Sequence, residues 1–249
     1  PSVTSDIDQN GNAITYAYNT RLFGFGHLQT ITDTQSRPVS AVYGGFLGSG
    51  GITQLTDATN RTWRYSYATG SYGNLLTSTD PNSKQTSYGY DTNNNLNQIT
   101  DPNNQVTTLV YDTRNRVTSI TFGQGSSVAG TYTFTYHIGN TTVTDPNSHQ
   151  MTYYYDSQLR TTKITDALSN SVQFSWTADN HVQQSTDAKG QVVTYGHDGN
   201  NNLTSVQVPT GATTNWAYAD SAHPFYPTST TDPQGNVTTI HYTAAGNPD

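Results

Sequence analysis

Asp80-Pro81-Asn82 recurs as Asp101-Pro102-Asn103 and as Asp145-Pro146-Asn147, and a tyrosine stands ten residues after each aspartate: Tyr90, Tyr111 and Tyr155. A spacing of 21 residues between the first two copies is too short for an independent domain. Units of that size must stack and share one continuous apolar surface. Counted from the turn aspartate, repeats start at Asp8, Asp33, Asp57, Asp80, Asp101, Phe122, Asp145, Asp166, Asp187, Val208 and Asp232. Phe122 and Val208 have lost the aspartate and are placed by spacing and by their aromatic residues. Eleven repeats predict a single array over residues 1–249, a piece of a longer protein.

Ten residues after the start stands Tyr18, Tyr43, Tyr67, Tyr90, Tyr111, Tyr155, Trp176, His197, Tyr218 or Tyr242, with Tyr136 displaced by about four extra residues. Eight after the start comes Tyr16, Tyr65, Tyr88, Tyr153, Phe174, Tyr195 or Trp216, with Ala41, Leu109 and Ile240 in the remaining repeats and Phe134 in the displaced one. Six after, Ile14, Val39, Trp63, Met151, Val172 and Val193 alternate with threonines. The residues between are mostly Thr, Ser, Gly or Ala. A period of two with one large apolar face predicts a half-buried strand, and Thr, Tyr and Val favour that state. A polar turn follows, such as Asp91 to Asn95 or Asp198 to Asn202, and then a second run, Leu96 to Thr100 or Leu203 to Val208. Apolar residues in that run are three apart (Leu96 and Ile99, Val117 and Ile120), which is not a strand period and predicts a bulge. No segment reads as a helix.

The expected architecture is therefore all-β: an antiparallel meander of strand-turn-strand units. About 22 strands at about 4.8 Å each give a sheet of about 100 Å, which twist should curl. A β-propeller with two repeats per blade is the alternative, although no 42-residue alternation supports it. The turns agree with this picture. Asp80, Asp101, Asp145, Asp166, Asp187 and Asp232 occupy the position whose carboxylate accepts backbone N–H bonds. Gly11, Gly190 and Gly235 stand three residues later, where a left-handed residue is expected. Ile138-Gly139-Asn140-Thr141 reads as a tight hairpin turn. Length varies only at loops: Phe23 to Gly26, Gly44 to Gly51, Gly70 to Gly73, Gly123 to Gly130 and Ala219 to Pro227. A substitution there, such as Ser127→Ala, is expected to be nearly neutral.

Composition narrows the functional classes. Charged residues are 11% of the chain, so Asn, Gln, Ser and Thr solvate the surface. All 17 acidic residues are Asp, and nearly all stand in the two turns, which marks them as turn formers. The net charge is −7 and the ten basic residues are scattered, which disfavours nucleic acid. No apolar run is long enough to span a membrane. With no cysteine there are neither disulfides nor thiolate metal sites.

Candidate chemistry is sparse. Asp91-x-Asn93-x-Asn95 and Asp198-x-Asn200-x-Asn202 imitate the start of a calcium loop but lack its Gly and Glu, so they read as turns. His137, His149, His181, His197 and His241 form no metal-ligand spacing. Gly48-Ser49-Gly50-Gly51 and Gly123-Gln124-Gly125 lack the Lys and helix of a phosphate loop. Neither an activated nucleophile nor a convergent carboxylate pair is visible, so the chain is expected not to be an enzyme, with no cofactor and no metal. The tyrosines read first as packing and second as a sugar-stacking face.

The stretches Tyr88-Gly89-Tyr90-Asp91, Tyr153-Tyr154-Tyr155-Asp156 and Tyr111-Asp112, closed by Ile99-Thr100-Asp101-Pro102 and Ile164-Thr165-Asp166, resemble the YD or Rhs repeat family over nearly the whole chain. Departures include Asn94 and Asn201 where that family places Gly, and His197-Asp198 in place of Tyr-Asp. The resemblance implies a sheet that spirals into a hollow shell, around a toxin domain in bacterial members. The shell-ending motif and its autoproteolytic aspartates are not visible, so no cleavage is carried over. What it implies here is a structural segment of a secreted or cell-surface protein. Its partners are the rest of the parent shell and an enclosed toxin domain, and open sheet edges invite self-association. The alternative is an extracellular adhesion module that binds carbohydrate or protein.

Overall fold

A computed structural model describes residues 3–8, 10–19, 26–44, 51–69, 73–124, 126 and 129–249. The Phe23 to Phe25 insertion, Gly45 to Gly50, residues 70–72, Gly125 and Ser127 fall outside the described residues. The chain divides into an N-terminal body, Pro1–Thr131, and a C-terminal body, Tyr132–Asp249. Each is built from antiparallel strands alone, with no helix among the described residues.

The N-terminal body contains β1 (Ser5–Ile7), β2 (Ala13–Tyr18), β3 (Leu28–Thr32), β4 (Pro38–Tyr43), β5 (Ile52–Thr56) and β6 (Thr62–Tyr67). It continues with β7 (Leu75–Thr79), β8 (Gln85–Tyr90), β9 (Leu96–Thr100), β10 (Val106–Tyr111) and β11 (Val117–Gln124). Each pairs with the next in the chain, so the body is a meander. The C-terminal body repeats the plan. It runs through β12 (Gly130–His137), whose first residues precede the division, β13 (Asn140–Thr144), β14 (Gln150–Tyr155), β15 (Thr161–Thr165), β16 (Ser171–Trp176) and β17 (Val182–Thr186). It ends with β18 (Val192–His197), β19 (Leu203–Gln207), β20 (Thr213–Ala217), β21 (Ser229–Thr231) and β22 (Val237–Thr239). Pairing again follows chain order. The meander is thus observed, and the propeller alternative falls because chain-order pairing groups no four strands into a blade.

The three-residue apolar spacing has the expected cause. Gly89 pairs with Gln98 but Tyr90 pairs with Leu96, so Asn97 is an extra residue on β9. The same slip follows Ser66, Ser175 and Gly196. One inserted residue restores the face of everything beyond it. Leu96 and Ile99 therefore lie on the same side as Tyr88 and Tyr90. Register then sorts the two faces. One carries Tyr88 opposite Ile99, Leu55 opposite Trp63 and, in the C-terminal body, Tyr153 opposite Ile164. The other carries hydroxyls and amides, with Ser66 Oγ 2.6 Å from Thr77 Oγ1 and Thr142 Oγ1 3.1 Å from Thr152 Oγ1.

Phe122 is not a turn start. It lies inside β11, and Gly123 takes the left-handed conformation instead, at φ 63°. A bulge opposite Val106 to Thr108 lengthens this strand to eight residues. The hairpin at Ile138-Gly139 is a two-residue connection closing the His137–Asn140 pair, with Gly139 at φ 79°.

Among the described residues no apolar side chain is fully buried. The aromatic face of each body packs laterally, strand against strand. Cross-strand pairs of this kind contribute about 0.2–1 kcal/mol each, so stability is spread along the ladder. Tyr88→Ala, on the apolar face, should cost about 2 kcal/mol in chemical denaturation, below the value for a fully enclosed aromatic. Val110→Ala, on the opposite face where Val110 is 54% exposed, should cost about 0.5 kcal/mol or less. Equal losses would show that the tyrosine face does not hold the sheet.

Candidate functional site: a frame of aspartate turns and tyrosine clamps

Most described turns of the repeat share one construction. In the Asp101 turn, Asn104 N–H donates to the Asp101 carbonyl at 3.0 Å and Asp101 N–H donates to the Gln105 carbonyl at 3.0 Å. Asn104 has φ 61°. This is a three-residue hairpin loop ending in a left-handed bulge residue. The aspartate completes it. Asp101 Oδ1 accepts from the N–H of Asn103 and of Gln105, both at 2.8 Å. Asp80, Asp145, Asp166, Asp187 and Asp232 accept the same pair of bonds two and four residues on. The turns on the opposite sheet margin, at Asp91, Asp112, Asp156 and Asp198, repeat it. Where Val208 replaces Asp, the backbone bonds alone remain, and Gly211 at φ 85° occupies the left-handed position.

That position takes Gly at 11, 190 and 235, as expected, but also Ser83, Asn115, Ser148 and even Leu159 at φ 62°. Asn tolerates the left-handed region and Leu does not, so Leu159 is held there by the bonds of its turn.

The fourth residue after the aspartate often binds the second carboxylate oxygen. Arg61 and Arg116 reach Asp57 and Asp112 at 2.6 and 2.7 Å, and Asn170 Nδ2 reaches Asp166 at 3.0 Å. Neighbouring turns are also linked: Asn95 Nδ2 donates to Asn115 Oδ1 at 3.0 Å, Arg160 Nη1 to Asn180 Oδ1 at 3.1 Å, and Asn74 to Asn94. These lateral bonds have no local sequence signature, because their partners lie 20 residues apart.

The tyrosine ten residues after the start has a defined duty. Tyr90 Oη donates to the Leu75 carbonyl at 3.0 Å, Tyr111 to Leu96 at 2.7 Å and Tyr67 to Ile52 at 2.9 Å. Tyr43, Tyr218 and Tyr242 reach Leu28, Leu203 and Pro227 in the same way. Trp176 substitutes its indole N–H, donating to Thr161 at 2.8 Å. The target carbonyl lies beyond the end of a ladder. The β7–β8 pairing starts at Thr77 with Ser87, leaving Leu75 past its last rung. A side-chain donor fills what the backbone leaves open. This explains why the position holds Tyr, Trp or, at 197, His but never Phe, whereas Phe134 and Phe174 stand two residues earlier.

Of the remaining repeat aromatics, Tyr18 closes β2 opposite Leu28, Tyr136 lies on β12 opposite Thr141, and Tyr155 ends β14 opposite Thr161. Tyr195 and Trp216 lie on the apolar face opposite Val206 and Thr230. His197, in the clamp position, stacks on His181 with ring centroids 4.5 Å apart, and its Nδ1 is enclosed without a hydrogen-bond partner. Among the described residues no three His, Cys, Asp or Glu side chains converge to hold a metal.

The turn bonds act on the carboxylates. Hydrogen bonds from the Asn170 amide hold Asp166 below its ordinary pKa, and those from Asn202 and Asn236 do the same for Asp198 and Asp232. Against the upward pull of partial desolvation, bonds from Arg61 and Thr59 lower Asp57 to about 2. A folded-state pKa below the unfolded one contributes stability above the unfolded value, lost as pH falls through the folded value. The sheet should therefore keep its circular dichroism signal from neutral pH to about 4, the unfolded carboxylate range, and lose stability as pH falls toward about 2. Loss above pH 5 would contradict this. Tyr111→Phe should cost about 1 kcal/mol in denaturant melts, the worth of its one hydrogen bond, whereas Phe134→Tyr should gain nothing comparable.

The RHS Repeat family model matches residues 71–106, 98–127 and 176–214. A comparison with curated protein sequences finds no match. Among solved structures, TcdB2-TccC3-Cdc42 aligns over 95% of this chain at 15% identity with a TM-score of 0.70. TcdB2-TccC3 without its hypervariable C-terminal region aligns over 98% at 14% identity with a TM-score of 0.72. The Tc holotoxin pore of Photorhabdus luminescens aligns over 98% at 14% identity with a TM-score of 0.69. The chain spans about 15% of the length of each of these chains. At such identities the likeness is one of fold. With the repeat matched in three stretches and the same turn-and-clamp frame present in both bodies, the chain carries RHS-type repeats.

Proposed function

We propose that this chain is a wall segment of an Rhs-type shell in a secreted or cell-surface protein, where it pairs with the rest of the sheet and encloses a toxin or other cargo. The named repeat residues act as frame: the aspartates fix the turns and the clamp tyrosines tie the open ends of the hairpins. The observation that carries the reading is that the described chain spends its polar chemistry on its own backbone. Carboxylates of the repeat turns accept turn amides, and clamp tyrosines donate to ladder-end carbonyls. Such a sheet is suited to extension, not to catalysis. The fold likeness to structures that contain TcdB2-TccC3 supports the shell setting.

A wall segment has strands to offer at its margins. Ile240 N–H donates inward to the Thr228 carbonyl at 2.8 Å. By the two-residue alternation of a strand, Thr239 on β22 presents its N–H outward. An outward N–H row is a template for another strand.

Light scattering across a concentration series tests this. The apparent mass should rise above 27.1 kDa with concentration, and Thr239→Pro, which deletes only an outward N–H, should reduce the rise. A strict monomer unaffected by the substitution, together with glycan binding to the aromatic face, would replace the wall reading with the adhesion module.

A further inference from the structure

In a chain that repeats one frame, the places that break it are where a specific role can sit. Three breaks meet in the C-terminal body. The second residue after the repeat aspartate is polar in every other repeat, as at Asn82, Asn103 and Lys189, but is Leu168 in this one. Leu168 is 83% exposed, and its N–H is fixed on Asp166 Oδ1 at 2.9 Å, so the side chain is held out at a defined place. Met151 is the only methionine of the chain and stands 39% exposed on the apolar face. Tyr132, also 39% exposed, comes from the extra residues of the displaced repeat.

These three line one groove of about 540 Å³, with Asp145, His149 and Asp166 also in its wall. The size suits an inserted side chain and its flanking backbone. A methionine and an exposed leucine give an adaptable apolar floor, and the Tyr153 hydroxyl, donating to Met151 Sδ at 2.9 Å, orients the thioether. No Lys or Arg lines the groove. In the groove wall the His149 Nδ1 meets Asp145 Oδ2 at 3.0 Å, whereas Asp166 has no cationic side chain beside it, in a chain of net charge −7. The turn bonds from His149 to Asp145 and from Asn170 to Asp166 satisfy hydrogen bonding and leave the field of the carboxylates.

We propose that this groove docks a polypeptide segment that presents an aromatic or aliphatic side chain flanked by lysine or arginine. The apolar floor takes the side chain, and the two aspartates favour the flanking cations and disfavour acidic neighbours. This site is distinct from the strand margins, so it stands or falls apart from the shell reading.

The single methionine makes the test direct. Protein carrying [ε-13C]methionine gives one methyl signal in NMR, located in the groove. The probes are acetyl-Gly-Lys-Phe-Lys-Gly-amide and its counterpart with Glu in place of Lys. The methyl signal should shift saturably with the lysine peptide, with about tenfold weaker binding of the glutamate peptide. Leu168→Gln, which restores a polar residue to an exposed turn position, should weaken the lysine peptide about tenfold. Asp166→Asn keeps the turn acceptor but removes the charge, and should lessen the salt dependence. Equal affinity for both peptides, or unaltered binding in Leu168→Gln, would overturn the proposal. A methyl shift that follows protein concentration without peptide would also overturn it, by making a second copy the occupant.

Discussion

The structure depends on one interaction, a carboxylate that accepts two backbone amides of its own turn. Asp101 Oδ1 holds Asn103 and Gln105, and the same arrangement recurs on both margins of the meander. A three-residue loop with a left-handed fourth residue fixes which residues of the flanking strands face each other. Turn chemistry thus sets register, register sorts side chains to faces, and the faces give the sheet one apolar and one hydroxylated side. Removing Glu from the composition follows from this: its longer side chain does not close the turn in the way Asp does.

A sheet with no fully buried apolar residue among those described cannot draw its stability from a central core. Its stability is local and additive, as in other repeat architectures. Lateral packing of Tyr88 against Ile99 is one part. The tyrosine clamps are another, since each ties the end of a hairpin's second strand to the start of its first, at the open end away from the aspartate turn. Burial pushes the Tyr67 and Tyr111 phenols above their ordinary pKa. The lateral Asn and Arg bonds join turn to turn on one margin. A frame of this kind can be lengthened by repetition without altering any single unit, which is what a wall requires.

Much of this was legible in the residues. The Asp period located the turns, the Tyr-x-Tyr alternation located the first strand, and the Leu96–Ile99 spacing announced the bulge. Phe122 misled because a strand-interior aromatic fell at the expected spacing, and only the Gly123 bulge shows that β11 runs past it. The clamp was visible only as a preference for tyrosine. Its partner carbonyl, 15 residues earlier, follows from where a ladder ends, and that end is set by the bulge and the turn together. The groove at Met151 and Leu168 has no sequence signature for a similar reason. Its walls come from three repeats, and each residue alone is a minor variation.

Native-state hydrogen exchange in the Asp101→Ala variant tests the primacy of the turn most directly. Asn103 and Gln105 lose their acceptor in this variant, and the β9–β10 ladder adjoins the turn. The account predicts that these amides and the β9–β10 ladder amides exchange about five- to tenfold faster, as expected for loss of a capping carboxylate. Ladders in the C-terminal body should be unchanged. Unchanged exchange along β9 and β10 would contradict it and would assign the register to side-chain packing.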